Sequence, residues 1–278
     1  MTVYLAHFGL NRLPFGLTPD TEFVYPSRSH REGLNLLLFA LASGEGFVKV
    51  VGEIGTGKTL LCRNLLRELA TDWQAAYIPN PQMNPHELLL EIADELGTAA
   101  GAKDISRLVK RINQRLIEIA AEGRKVVLCI DEAQTMPRLT LESLRLLSNL
   151  ETEKRKLLHI VLFGQPELDE MLGAHSARPL RQRIAFGHRL RHLDAEEVKN
   201  YVAQRLSTAG YRGEALFSNT ALRALYHRSG GAPRLINILA NKALLAAFGE
   251  GRLRIEPAHV KAAARDTAGA LARSWWLW

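Results

Sequence analysis

Three apolar runs limit what this chain can fold into. "GFVKVV" (46–51), "KVVLCI" (125–130) and "LLHIVLF" (157–163) contain hardly any polar residues. A strand with one wet face alternates polar and apolar residues. Runs like these lie inside a sheet covered on both faces. A shorter run, "QAAYIP" (74–79), reads as a further strand. Between and around the runs, residues 29–42, 58–70, 84–97, 104–122 and 138–150 carry helical periodicity. Strand and helix in alternation build a parallel sheet flanked by helices, an α/β fold.

Near residue 192 the strands give way to helices. Asp194 and Glu197 have capping-box spacing, and Gly210 suits the end of the helix they open. Ser218 is placed as the N-cap of a second helix that ends at Gly230. A third runs from about Pro233 to Phe248, and Pro257 suits the first turn of a fourth. The expected division is an α/β domain over residues 1–192, which includes a Pro-punctuated N-terminal segment, and a small all-helical domain over 193–278.

The loop after "GFVKVV" carries the chemistry. "GEIGTGKT" (52–59) fits G-x-x-x-x-G-K-[ST] between a strand and a helix. Phosphate oxygens need several donors converging on a small volume. Glycines let the backbone wrap closely enough to supply them, and the helix N-terminus adds a favourable partial charge. The expected nucleotide-binding set is Gly52, Glu53, Ile54, Gly55, Thr56, Gly57, Lys58, Thr59 and Leu60, with Asp131. Lys58 is to reach the β- and γ-phosphates, and the Thr59 hydroxyl is to ligate Mg²⁺. Asp131 follows "KVVLCI" at the C-terminal end of its strand, where open α/β sheets bind ligands. It is expected to hold the metal, and Glu132 beside it to orient or deprotonate water. Both acids together point to ATP hydrolysis rather than nucleotide sensing alone.

Composition narrows the classes. Net charge is +7 with a pI of about 9.6, which suits an anionic partner such as nucleotide, nucleic acid or a membrane surface. No apolar run is long enough to span a bilayer, and "MTVYLAHFGL" has no basic region ahead of an apolar stretch. A cytoplasmic chain without a transmembrane segment is expected. Cys62 and Cys129 have no neighbour at metal-ligand spacing and read as core residues. A two-lobed helicase would need a second α/β lobe after Asp131, and the remaining chain is too short and too helical for one.

Other residues have two readings. Gln165 ends the third apolar run; it either caps the following helix or, if that strand neighbours the phosphate-loop strand, faces the γ-phosphate. Five arginines crowd "SARPLRQRIAFGHRLRH" (176–192). They form either a solvated basic face or hold an arginine finger, for which Arg181 and Arg183 are best placed. Pro14, Phe15 and Tyr25 either pack on the core or form an apolar slot for a base, with His30 and Arg31 beside it. Arg234, just after the Gly230-Gly231 and Pro233 punctuation, is either a solvated first turn or a contact to the γ-phosphate. "RSWWLW" (273–278) either packs back, frays or docks at an interface.

Together these residues resemble the AAA+ superfamily. The match rests on the Walker A "GEIGTGKT", the Walker B "VVLCIDE", Gln165 as sensor 1, "RPLRQRI" as the arginine-finger region and "GGAPRLIN" (230–237) as sensor 2. More narrowly, "GFVKVVGEIGTGKT", "IDEAQ", "FGQPEL" and "GGAPRLIN" resemble the AAA+ ATPases of the ExeA/GspA type in bacterial secretion and pilus systems. The layout is nearest to the shorter ATPases of MSHA-type pili. The resemblance implies ATP and Mg²⁺ as ligands and a homo-oligomeric ring such as a hexamer. It also implies partners among pilus or secretion-system proteins at the inner membrane. Related ATPases serve transposons and bind DNA, and the basic pI fits that class too. A slowly hydrolysing, nucleotide-gated scaffold is the third alternative.

Overall fold

The computed structural model describes residues 3–17, 21–23, 25–98, 104–147 and 156–270. The Trp-rich "RSWWLW" lies outside the described residues. In chain order the helices are α1 (Leu5–Phe8), α2 (Arg28–Ala42), α3 (Lys58–Glu68), α4 (Pro85–Glu95), α5 (Ile105–Ala121), α6 (Arg138–Leu147), α7 (Glu167–Gly173), α8 (Arg178–Arg181), α9 (Ala195–Thr208), α10 (Asn219–Ser229), α11 (Pro233–Gly249) and α12 (Pro257–Arg265). Among the described residues no helix is long and apolar enough to cross a membrane.

Strands β1 (Phe47–Gly52), β2 (Trp73–Ile78), β3 (Lys125–Ile130), β4 (Leu158–Gly164) and β5 (Ile184–Leu190) form one sheet in the order β2-β3-β4-β1-β5. Every pairing is parallel. The apolar runs are the inner strands, as their composition requires: all seven residues of β4 are buried. One core cluster fills the face lined by Leu128, Ile130, Ile160 and Leu162 with residues of α4, α5 and α6. Another fills the face lined by Val48, Val50, Val127 and Phe163 with α2 and α3. Cys62 and Cys129 are both fully buried here. The hydrogen bond from Cys62 to Cys129, together with burial, pushes the Cys62 thiol pKa upward, in keeping with a packing role.

Strand β5 was not expected. Within the stretch read as a basic cluster, Ile184–Leu190 is an edge strand on β1, and its burial alternates along its length. Gly187 and Arg189 on its exposed face and the polar His188 on its packed face hide that alternation. A Cβ at Gly187 would come within 3.1 Å of the Lys49 side chain, which would have to shift slightly to admit it. Lys49 crosses at this point to pair with Asp169 at 2.5 Å, and Asp169 also binds Arg189 at 2.6 Å.

Two compact units result. The sheet unit comprises Arg28–Glu53 and Lys58–Leu190. The helical unit takes Arg191–Trp278, residues 1–27 and the loop tip Ile54–Gly57. The N-terminal segment therefore groups with the helices, whereas the division at residue 192 assigns it to the α/β domain. The reason is apolar. Tyr4, Phe8, Phe15 and Phe23 are buried among Val198, Leu225, Leu239 and Leu244. Asp194 and Glu197 form the anticipated capping box of α9. The turn from α10 to α11 requires Gly231: its φ is +75°, and a Cβ there would sit 2.0 Å from the Leu193 carbonyl oxygen.

Candidate active site

The phosphate loop begins where β1 ends and closes into α3. Gly55 and Gly57 have φ of +80° and +91°, a region that other residues enter only with strain. Thr56 between them is buried, while Ile54 is 63% exposed at the tip. Glu53 is exposed, and Leu60 is half-buried one turn into α3. Lys58 is buried, and its ammonium donates to the carbonyls of Gly52 at 2.8 Å and Glu53 at 3.2 Å. Burial lowers the Lys58 pKa, while Glu132, Asp131, Glu53 and Glu167 act in the opposite sense. A desolvated cation amid carboxylates is suited to an anionic ligand.

Strands β3 and β4 lie side by side, with β1 on the other side of β4. Their C-terminal ends bring the expected acids and Gln165 together. The Thr59 hydroxyl donates to Asp131 Oδ2 at 2.5 Å, so the two residues expected to share a metal already meet. Asp131 is buried, and burial pushes its pKa above the ordinary carboxylate value. Hydrogen bonds from Thr59 and the Glu132 amide oppose that rise. A buried carboxylate beside a hydroxyl is an all-oxygen donor pair of the kind Mg²⁺ takes, and a cation there would relieve the desolvation penalty.

Glu132 has φ of +49°, the only non-glycine positive value among the described residues. Such strain persists only where the surroundings impose it, and it clusters at functional sites. Here the Asp131 carboxylate accepts the Glu132 amide at 2.9 Å. Glu132 Oε2 in turn accepts from Gln165 Nε2 at 3.2 Å and from Gln134 Nε2 at 2.6 Å. Gln134 also accepts the Gln165 backbone amide at 2.9 Å. The sequence reading named Gln165 and missed Gln134. The sequence holds no signal for it, because Gln134 reaches Glu132 only through the left-handed backbone two residues earlier.

Arg181 is exposed at the end of α8, and Arg183 is half-buried just before β5. Phe15 is 3% exposed and meets Phe217 edge-on in the helical core; Tyr25 meets Tyr201 in the same way. Core packing therefore accounts for both rings. In the sheet unit His30 is buried and Arg31 exposed.

Arg234 is the second residue of α11, after the punctuation expected of it: Gly230 is left-handed and Pro233 is the first helical residue. Within the helical unit it lies against the loop tip. A Cβ added at Gly55 would fall 2.7 Å from the Arg234 Cβ. Gly55→Ala is therefore expected to destabilise the unit by about 2 kcal/mol from left-handed strain plus the clash. In thermal melts, Arg234→Gly should recover the clash part in the double mutant and Arg234→Ala should not, because alanine keeps the Cβ. Equal recovery by both would show that the Cβ contact is unimportant.

Residues 41–172 match the family model described as "AAA domain". General secretion pathway protein A of Aeromonas hydrophila is 41% identical over 271 residues. The match covers 96% of this chain and 49% of that protein, so the chain spans about half the length of this curated relative. Among solved structures, the Aeropyrum pernix ORC2 protein is similar with a TM-score of 0.68 at 17% identity, covering 94% of this chain and 73% of that one. Cdc6p of Pyrobaculum aerophilum also gives 0.68, at 20% identity and coverages of 92% and 73%. The Thermotoga maritima RuvB branch migration motor gives 0.57 at 19% identity, covering 91% and 73%. At these identities the likeness to solved structures is one of fold.

Proposed function

We propose, for a chain that belongs to the AAA+ ATPases of the general secretion pathway protein A type, that it binds ATP with Mg²⁺ and hydrolyses it within a homo-oligomeric ring. The work done is assembly or remodelling of a type IV-like (MSHA) pilus or a type II secretion apparatus, at the cytoplasmic side of the inner membrane. The observation that carries the chemistry is the meeting of Lys58, Thr59, Asp131, Glu132 and Gln165 at the C-terminal ends of β1, β3 and β4.

The loop amides and Lys58 hold the phosphates, with Lys58 exchanging its carbonyl partners for phosphate oxygens. Thr59 and Asp131 would hold Mg²⁺, which supplies charge neutralisation between the phosphates. Glu132 orients the attacking water and takes its proton at a carboxylate oxygen. To do so it gives up at least one of its two amide partners, Gln134 or Gln165. Gln165 then turns toward the γ-phosphate. Arg234, packed against Gly55, reads the same phosphate. Arg181 or Arg183 acts in a neighbouring subunit's site, where an arginine stabilises charge developing in the transition state.

The test is phosphate release by the purified chain with Mg²⁺ and with excess chelator, run beside light scattering with ADP and with a non-hydrolysable ATP analogue. Expected are metal-dependent turnover and a larger particle in the ATP-like state. Turnover that responds to DNA, with binding that falls steeply as salt rises, would instead favour the DNA-associated regulatory reading that the net charge of +7 also suits. Turnover too slow to measure, with nucleotide-dependent assembly intact, would favour the scaffold.

A further inference from the structure

A cation is buried in the helical unit. Arg205 on α9 is 7% exposed. Its guanidinium donates to the Pro14 carbonyl at 2.6 Å, to the Tyr201 hydroxyl at 2.8 Å and to the Gly16 carbonyl at 3.4 Å. It lies over the Phe23 ring at 4.9 Å. The Tyr201 hydroxyl donates on to Asn237 Oδ1 at 2.8 Å, and the Asn237 amide donates to the same Gly16 carbonyl at 3.3 Å. Residues 14–16 are thus held by their main chain, from two helices, through a closed ring of hydrogen bonds. Side-chain identity in that segment hardly matters to such a grip, whereas its position is tightly defined.

Asn237 links this ring to the loop tip. It stands on α11 three residues after Arg234, so the two share a helix face about 4.5 Å apart along the axis. Arg234 touches Gly55. One turn further on, Asn237 holds Gly16, and Asn241 accepts the Tyr4 hydroxyl at 2.5 Å. A single face of α11 therefore contacts the phosphate loop at one end and the N-terminal segment along the rest.

We propose that Arg205, Tyr201 and Asn237 form a latch that fixes residues 14–16 one helical turn from the phosphate loop, and that this latch sets nucleotide affinity without touching the nucleotide. These three are positioning residues. The inference rests on the ATP-binding reading above. A nucleotide that engages the loop tip bears on α11 through Arg234, and α11 bears on the segment through Asn237. The segment held in place thereby favours the bound state, and the segment released withdraws that support.

Tyr201→Phe tests this with little disturbance: it removes the bridging hydroxyl and keeps the ring. Asn237→Ser is the second variant. The probe is a fluorescent N-methylanthraniloyl-ADP, used with the full chain. Both variants should raise its Kd, and the KM for ATP, about tenfold, while kcat stays within twofold. Trypsin cleavage at Arg12, in the segment, gives an independent readout. Saturating ADP should suppress that cleavage in the wild type and fail to do so in either variant. A Kd within twofold of wild type in both variants would overturn the latch, as would cleavage that ADP suppresses equally in all three proteins. Lys58→Ala separates the two levels of the argument. If the wild type binds no ADP, the ATP reading falls and the latch with it. If the wild type binds and Lys58→Ala does not, the latch variants alone decide.

Discussion

Glu132→Gln is expected to lower ATP turnover by at least a factor of about 100 while leaving nucleotide affinity within a few-fold of wild type. The range follows from what a positioned base contributes, roughly 10²–10⁴ in rate. The substitution suits this site because glutamine has nearly the same shape. The residue's left-handed backbone donates its amide to the Asp131 carboxylate, a contact the change does not touch. What changes is the carboxylate that Gln134 and Gln165 contact. The amide oxygen can still accept one of those donors, but it cannot take a proton from water. A single-turnover assay separates the steps: bound ATP should remain intact over many wild-type turnover times, and the ATP-like assembly should accumulate. Wild-type hydrolysis by this variant would remove Glu132 from the mechanism and leave the Glu132, Gln134 and Gln165 cluster as structure alone.

Lys58→Ala should raise the Kd for ATP at least about a hundredfold, measured by titration calorimetry. Two charge-assisted hydrogen bonds to phosphate, at about 1.5–3 kcal/mol each, are enough for that. The loss goes beyond a missing contact. In the structure the Lys58 ammonium lies among Glu132, Asp131, Glu53 and Glu167. Without it, the acids repel the phosphates with nothing to offset them except a metal ion. Raising Mg²⁺ should therefore recover part of the binding in Lys58→Ala, more than it adds to wild type. A Kd within tenfold of wild type would mean that the loop amides hold the nucleotide unaided.

The sheet was legible wherever burial on both faces left an uninterrupted apolar run, which is why β1, β3 and β4 could be read directly. Strand β5 was not, because this edge strand has Gly187 and Arg189 on its exposed face and the polar His188 on its packed face, against Ser29 and Gly33 of α2, so no apolar alternation stands out. The phosphate loop was legible because close approach of backbone to phosphate dictates glycine at fixed spacing. Gln134 was hidden. Its role depends on the strained backbone at Glu132, and composition does not reveal that. The N-terminal segment stayed open between two readings for a different reason. Its aromatic residues could equally have suited a base or a core, and the partners that decide the matter are remote: Arg205 meets Pro14 across 191 positions of sequence.

That remoteness has a consequence during synthesis. Tyr4, Phe8, Phe15 and Phe23 leave the ribosome before the sheet unit, yet the helices that bury them begin only at Ala195. Roughly 160 residues of the sheet unit emerge in between, which at about 5–20 residues per second is a wait on the order of ten to thirty seconds. Throughout that interval four large rings and a phosphate loop whose tip belongs to the later unit are held by a chain that can complete only its sheet. The helical unit then closes by capturing a segment made long before. Its core therefore needs that long-range encounter in addition to helix formation, which is local and fast.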